Sequence, residues 1–168
     1  MSMFTIRSDL RPGDLGRLIS LHGEAYEGEN GSYGAPFEAH VAGTVAEFMA
    51  GNEGRGRLFF AEDAAGSLVG TSAMIERRRP GAPPEGQLRW VVLSPAARGR
   101  GVGGRLVDAA LLHARQQGYP RVYLETTAGL DASMALYRHR GFEIVGERRE
   151  SLWRGDDLVI TMALEFAA

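Results

Sequence analysis

The sequence predicts an α/β fold in which a central mixed β-sheet of about six to seven strands is flanked by about four helices. Three observations lead there. Apolar residues recur at helical spacing up to about Ala50, switch to strand-like runs from Arg57, and then alternate strand, helix, strand, helix towards the end. The length of 168 residues fits a single domain over residues 1–168, because a domain usually takes about 150. A chain that is 44% hydrophobic and 24% charged has the composition of a globular protein, which excludes disorder, collagen and coiled coil.

Each element has a local reason. Arg11-Pro12-Gly13-Asp14 reads as a turn with Asp14 placed to cap a helix. Leu15, Leu18, Ile19 and His22 then mark one face of that helix to about Tyr26. Residues Gly28 to Pro36 read as a loop, and Val41, Val45, Phe48 and Met49 mark a second helix over Phe37–Ala50. Strands are expected at Arg57–Glu62 and Leu68–Ile75, joined by a turn at Asp63–Ser67. The Arg- and Pro-rich stretch Arg77–Gly86 reads as a mobile connection, followed by a strand at Leu88–Leu93. A helix over Leu106–Gln117, a strand over Arg121–Thr127 and a short helix over Ala132–Arg140 come next, the helices stopped by Gly118 and Gly141. Strands at Phe142–Val145 and Leu158–Leu164 complete the pattern, with a turn near Arg154-Gly155-Asp156.

Composition narrows the function classes. No apolar run reaches the roughly 18 residues of a membrane span, and Met1 to Arg7 lacks the features of a secretory signal. The expected setting is therefore cytoplasmic, without a membrane partner. A net charge of -2 argues against a nucleic-acid partner. There is no cysteine, so disulfides, thiolate metal sites and a cysteine nucleophile are excluded. His22, His40, His113 and His139 fall on different elements with no metal-ligand spacing, so no metal is expected. All 19 residues counted as Lys+Arg are arginine. Arginine offers a permanently charged, planar fork to phosphate.

The most specific segment is Pro95-Ala96-Ala97-Arg98-Gly99-Arg100-Gly101-Val102-Gly103-Gly104-Arg105-Leu106, between an apolar strand and an amphipathic helix. Glycines leave backbone amides open to an anion, and the helix start adds its positive dipole end. With Arg98, Arg100 and Arg105 this is chemically a diphosphate cradle. Gly99, Gly101 and Gly104 also satisfy the dinucleotide fingerprint, with Glu125 where the ribose-binding acid would stand. Context weighs against that reading. Residues Ser94 to Arg98 separate the strand from the first glycine, and no second βαβ half follows.

Val92-Leu93-Ser94-Pro95 followed by Arg98-x-x-Gly101-x-Gly103 resembles motif A of the GNAT family, the Gcn5-related N-acetyltransferases, and Leu136-Tyr137-Arg138-x-x-Gly141-Phe142 resembles their motif B. Arg11 to Gly16, His22-Gly23, Phe37 to Ala39 and Gln87 to Arg89 look like GNAT domains found fused to MarR-type regulators; this chain would be a version without the regulator. The resemblance implies acetyl-CoA as cosubstrate. The backbone of Val91, Val92 and Leu93 would pair with the pantetheine amides. Amides across Gly99, Arg100, Gly101, Val102, Gly103 and Gly104 would hold the pyrophosphate, with Arg98 at the mouth. Tyr137 fills the position beside the thioester sulfur, and a phenol near pKa 10 can protonate or hydrogen-bond a leaving thiolate. Glu125 matches the glutamate that takes the proton from the amine, although a carboxylate near 4.3 is a weak base. It is equally placed to anchor the substrate ammonium, and a purely structural salt bridge is the third reading.

The pattern also departs from the family. Leu130 stands where motif B often begins with asparagine, and Arg89 stands where some relatives keep a glutamate base. The acceptor, a primary amine on a small molecule or peptide, would enter between the first two helices, their loop and the turn near Trp153. Tyr26, Glu27, Glu29, Tyr33 and Trp153 would suit a cation there. The resulting expectation is direct acetyl transfer to an amine, with a non-catalytic acyl-CoA-binding sensor as the alternative and a homodimer through the last strands as a further expectation.

Overall fold

The computed structural model describes residues 3–25, 34–52, 54–152 and 155–168. Seven strands form one mixed sheet in the order β1-β2-β3-β4-β5-β7-β6. In chain order the elements are β1 (Thr5–Arg7), α1 (Asp14–Ala25), α2 (Gly34–Gly51), β2 (Arg57–Glu62), β3 (Leu68–Arg77), β4 (Glu85–Leu93), α3 (Val102–Gln116), β5 (Arg121–Thr127), α4 (Asp131–His139), β6 (Glu143–Glu150) and β7 (Asp157–Glu165). A 3₁₀ turn at Pro95–Ala97 links β4 to the glycine-rich segment.

The period-two alternation of the strands feeds two cores. Phe59, Ala61 and Met74 face α3, while Leu58, Phe60, Ala73 and Ile75 face α1 and α2. The α3 core also takes in Val122 and Leu124 of β5 and Met134 and Tyr137 of α4. On α1 the buried positions Asp14, Leu18, Leu21, His22 and Ala25 follow one helical stripe.

Several boundaries differ from the sequence expectation, each for a local reason. β1 is an additional strand, short and with Ile6 as its one large apolar residue, held by antiparallel pairing of Thr5–Arg7 with Phe60–Glu62. Pairing of Glu76 and Arg77 with Gly86 and Glu85 shortens the expected mobile connection to residues 78–84. Residues 34–36 belong to α2 rather than to a loop; the rest of that loop, Tyr26, Trp153 and Arg154 lie outside the described residues. α3 starts at Val102 because glycines 103 and 104 continue its first turn. β6 runs on to Glu150 as the sheet edge, where charged residues face solvent.

Asp14 does not act as a simple N-cap. Its carboxylate accepts the backbone amide of Arg11 at 2.7 Å and both terminal nitrogens of Arg7, at 2.9 and 2.8 Å. Arg7 also donates to Glu62 at 2.7 Å. The guanidinium beside Asp14 holds that carboxyl below its ordinary value. This fork ties β1 to the start of α1 and to β2.

Asp14→Asn should therefore lower unfolding stability by about 1–3 kcal/mol in urea titrations, because Arg7 would keep Glu62 but lose its bidentate charge partner. In the native protein the contribution of the pair is complete above the unfolded carboxylate pKa of about 3.9 and fades as pH falls through the lower folded value. The asparagine variant should lack that acid dependence.

Candidate functional site

The site is built where β4 parts from β5. Their parallel pairing is confined to Gly86–Val122 and Gln87–Tyr123. Immediately beyond, β4 carries a bulge, in which Thr71 and Ala73 of β3 pair with Val92 and Arg89, so two steps on one strand meet three on the other. Trp90 takes the extra step with φ of 48°, the one non-glycine residue with positive φ among those described. The bulge changes which way the side chains face. Leu88, Val91 and Leu93 lie against the α3 core, whereas Trp90 belongs to the α1/α2 core. Thr71 Oγ1 holds the bulge by donating to the Trp90 carbonyl at 2.7 Å.

A cavity of about 800 Å³ opens at this divergence. Its walls come from α1 and α2 (His22, His40), from β4 (Gln87 to Val91), from β5 (Tyr123 to Thr127) and from α4 (Tyr137). Of the residues expected at the chemistry, Val91, Glu125 and Tyr137 line this one space. Val92 and Leu93 continue β4 beyond it, and Val92 packs with Leu21 and Ala25 of α1.

Tyr137 is buried and meets Phe142 edge-on with ring centroids 6.0 Å apart. That contact and its place on the α3 core fix the ring. Glu125 stands on the exposed side of β5 and accepts Arg148 Nη1 at 2.8 Å. Arg148 also reaches Glu150 at 3.3 Å. Sequence reasoning does not foresee Arg148, because its contact crosses from β6 over β7. A carboxylate held this way must exchange a guanidinium for an ammonium, or for a proton, before it can act.

At the far end of β4 lies the glycine turn. Gly99 and Gly101 have φ of 69° and 77°, and a Cβ on either would meet nothing within 4 Å, so both leave backbone open to solvent. Gly101 is the N-cap of α3 and provides no side-chain capping bond. The first amides of the helix, at Val102, Gly103 and Gly104, thus point outward at its positive end. Arg98 donates to the Ala25 carbonyl at 3.2 Å, Arg105 to the Phe4 carbonyl at 2.8 Å, and Arg100 lies over the Phe4 ring, 4.8 Å from its centroid. Arg140, which the sequence does not single out, grips Asp108 of α3 at 2.7 and 3.2 Å. It passes directly over Gly104, where a Cβ would come within 2.4 Å of its Nη2.

His22 is buried and bonded through Nδ1 to the Leu18 carbonyl at 2.8 Å. Burial pulls its pKa down to about 4, so the ring is neutral at physiological pH. Among the described residues no group of three or more His, Cys, Asp or Glu could hold a metal, and no helix is long and apolar enough to cross a membrane.

A sheet parted beside a bulge, with a capless helix N-terminus at the end of the parted strand, is the architecture of an acyl-CoA N-acyltransferase. The chain belongs to the acetyltransferase (GNAT) family, whose model matches residues 18–142. It is 31% identical over 140 residues to the N-alpha-acetyltransferase RimI of Mycobacterium tuberculosis, covering 83% of this chain and 79% of that protein. It is also 31% identical over 139 residues to the uncharacterized protein ML0378 of Mycobacterium leprae and 46% identical over 57 residues to the uncharacterized N-acetyltransferase YjgM of Escherichia coli. It spans only 34% of the length of each of these two. In fold it is similar to yncA of Salmonella typhimurium, solved with its cofactor acetyl-CoA (TM-score 0.77, 19% identity, 99% and 98% of the two chains). A ribosomal-protein-alanine N-acetyltransferase from Brucella melitensis gives the same TM-score of 0.77 at 24% identity, over 96% and 99% of the chains.

The environment of His22 makes a pH prediction. Its ring resonances should stay those of neutral imidazole as pH is lowered from 8 to 5 and titrate near 4. An unfolded histidine takes up a proton near 6.5, so stability should fall as pH drops from about 6.5 towards 4, by up to about 3 kcal/mol from this residue. His22→Gln should flatten that part of the stability profile; an unchanged slope would remove His22 as its cause.

Proposed function

We propose that this protein transfers an acetyl group from acetyl-CoA to a primary amine, directly and within a ternary complex. One observation carries the reading. Where the parallel β4–β5 ladder stops, a cavity lined by Val91, Glu125 and Tyr137 opens, and β4 continues past it towards the uncapped N-terminus of α3.

The residues present fit the cosubstrate. The backbone of Val91 to Leu93 lies past the last β4–β5 pair, so a pantetheine arm can take the place of a strand. Gly101 spares the amides of α3 any side-chain cap, which leaves them for a pyrophosphate. Gly99, Arg100, Val102, Gly103 and Gly104 complete that cradle, and Arg98 stands beside it. When bound, acetyl-CoA supplies the activated acyl carbon: a nitrogen–carbon bond forms, the carbon–sulfur bond breaks, and CoA leaves as thiol.

The chain's own groups would then handle position and protons. Tyr137, held by Phe142, presents a phenol to the sulfur side of the cavity and can donate to a leaving thiolate. Glu125 provides the negative charge that draws an ammonium into the opening; release from Arg148 would let it pass the proton on through water. Arg148 thereby competes with the substrate for Glu125. No cysteine is present to carry the acetyl group, which favours direct attack.

Gly101→Val should weaken acetyl-CoA binding by at least tenfold in titration calorimetry, since a branched residue is strained at φ of 77° and covers the amides. Unchanged affinity would remove the cradle from this account. Tyr137→Phe, assayed by thiol release with an amine that the native protein acetylates, should lower turnover by about 10–10⁴-fold with little change in acetyl-CoA affinity. Glu125→Gln should raise KM if the carboxylate anchors the ammonium and should shift the acidic limb of the rate profile if it is the base. Tight acetyl-CoA binding without turnover on any amine would instead mark a sensor module.

A further inference from the structure

The bulge in β4 delivers a charge that the chemistry proposed above does not use. Because β4 takes an extra step there, Arg89 and Trp90 both face the helices α1 and α2, and the Arg89 guanidinium lies over the Trp90 ring, 5.0 Å from its centroid. Arg89 lines the cavity and is only partly exposed. Among the described residues no carboxylate reaches it within ion-pair distance. Glu125 and Glu47 act on it only through space.

The charges around it do not balance. The cavity is lined by Arg77, Arg89 and Arg148 and by two carboxylates, Glu125 and Glu150. Arg148 engages both of those carboxylates. Arg77 has a neutral partner, donating to Gln87 Oε1 at 2.7 Å. His22 and His40 add no negative charge. Among the described residues, two guanidinium groups therefore face this half-open cavity with no anion paired to them, and a partly desolvated cation of this kind is costly unless a partner arrives. Trp90 adds a second unfilled feature, since its indole Nε1 is buried and has no hydrogen-bond partner.

Acetyl-CoA does not answer this demand. Its phosphates belong at the glycine turn, past the end of β4, and Leu93 alone is about 10 Å along the strand from Arg89, three steps of the paired strand β3. The pantetheine arm is uncharged. The anion must come with the acceptor. We infer that the acceptor is a zwitterion of the amino-acid class, its ammonium directed to Glu125 and its carboxylate taken by Arg89, with Arg77 behind it. This rests on the acetyltransferase reading above, and it adds a carboxylate to the cation expected from Tyr26, Glu27, Glu29, Tyr33 and Trp153, which lie outside the described residues. A planar guanidinium matches a carboxylate with two parallel hydrogen bonds, which fixes the amine's direction as well as its affinity.

The test compares each natural amino acid with its carboxamide, which keeps the amine and loses the anion. In thiol-release assays with acetyl-CoA, the best acid should exceed its amide in kcat/KM by about 10–100-fold, the range of a hydrogen-bonded charge. Arg89→Gln should bring that ratio close to one, mainly through KM, and Arg89→Lys should restore part of it. A ratio near one in the native protein, or a ratio unchanged by Arg89→Gln, would overturn the inference.

A binding measurement keeps this separate from catalysis. N-acetyl amino acids and their carboxamides are titrated into the protein saturated with CoA. A preference for the acids that Arg89→Gln abolishes sustains the carboxylate site even if no amine turns over, in which case only the acetyltransferase reading fails. Equal binding of acids and amides overturns it even if simple amines are acetylated.

Discussion

Everything distinctive in this molecule depends on one irregular step in β4. Trp90 sits at φ of 48°, a conformation that costs a bulky residue about 1–2 kcal/mol. The step bends the strand at the point where its parallel pairing with β5 ends. Without it the β4–β5 ladder would continue, and the sheet would close over the space that now forms the cavity. The neighbourhood holds the step in place: Thr71 caps the Trp90 carbonyl, Phe48 meets the indole edge-on with centroids 5.6 Å apart, and Arg89 covers its face. Strain is thus retained by packing on the α1/α2 face of the sheet.

The same step links two regions that would otherwise be independent. On the α3 side, Leu93 leads through the 3₁₀ turn to the open helix N-terminus, and Ser94 N donates to the Val69 carbonyl at 2.8 Å to hold that exit. Arg140 joins the C-terminal end of α4 to α3 by crossing Gly104 to Asp108, so these two helices are tied by side chains rather than by the sheet. On the other side, α1 and α2 pack against Trp90. On the proposed reading, one strand would present backbone to acetyl-CoA and side chain to the acceptor.

Much of this was legible in the sequence, because the legible parts are those with strong local signals. The helical stripe of α1, the apolar runs of β2 and β3 and the glycines before α3 each carry their own period or backbone requirement. The motif residues from Val92 to Gly103 fall on the end of β4 and the start of α3, and those from Leu136 to Phe142 fall on and just after α4. What could not be read arises from contacts distant along the chain. β1 has one large apolar residue and exists through pairing with β2. Trp90 has no preference for positive φ, so the bulge left no mark, and Arg89 was visible only as a departure from a family pattern. Arg148 and Arg140 are surface-type residues in sequence, 23 and 32 positions from the acids they bind.

On the proposed reading the parted end of β4 is a place for a ligand's backbone-like arm. Amide hydrogen exchange with and without acetyl-CoA reads this directly. Slowed exchange confined to the amides of residues 91–93 and 99–104, with β2 and β6 unaffected, is the predicted result. Protection absent from both segments, at acetyl-CoA concentrations that saturate binding by an independent assay, would contradict it.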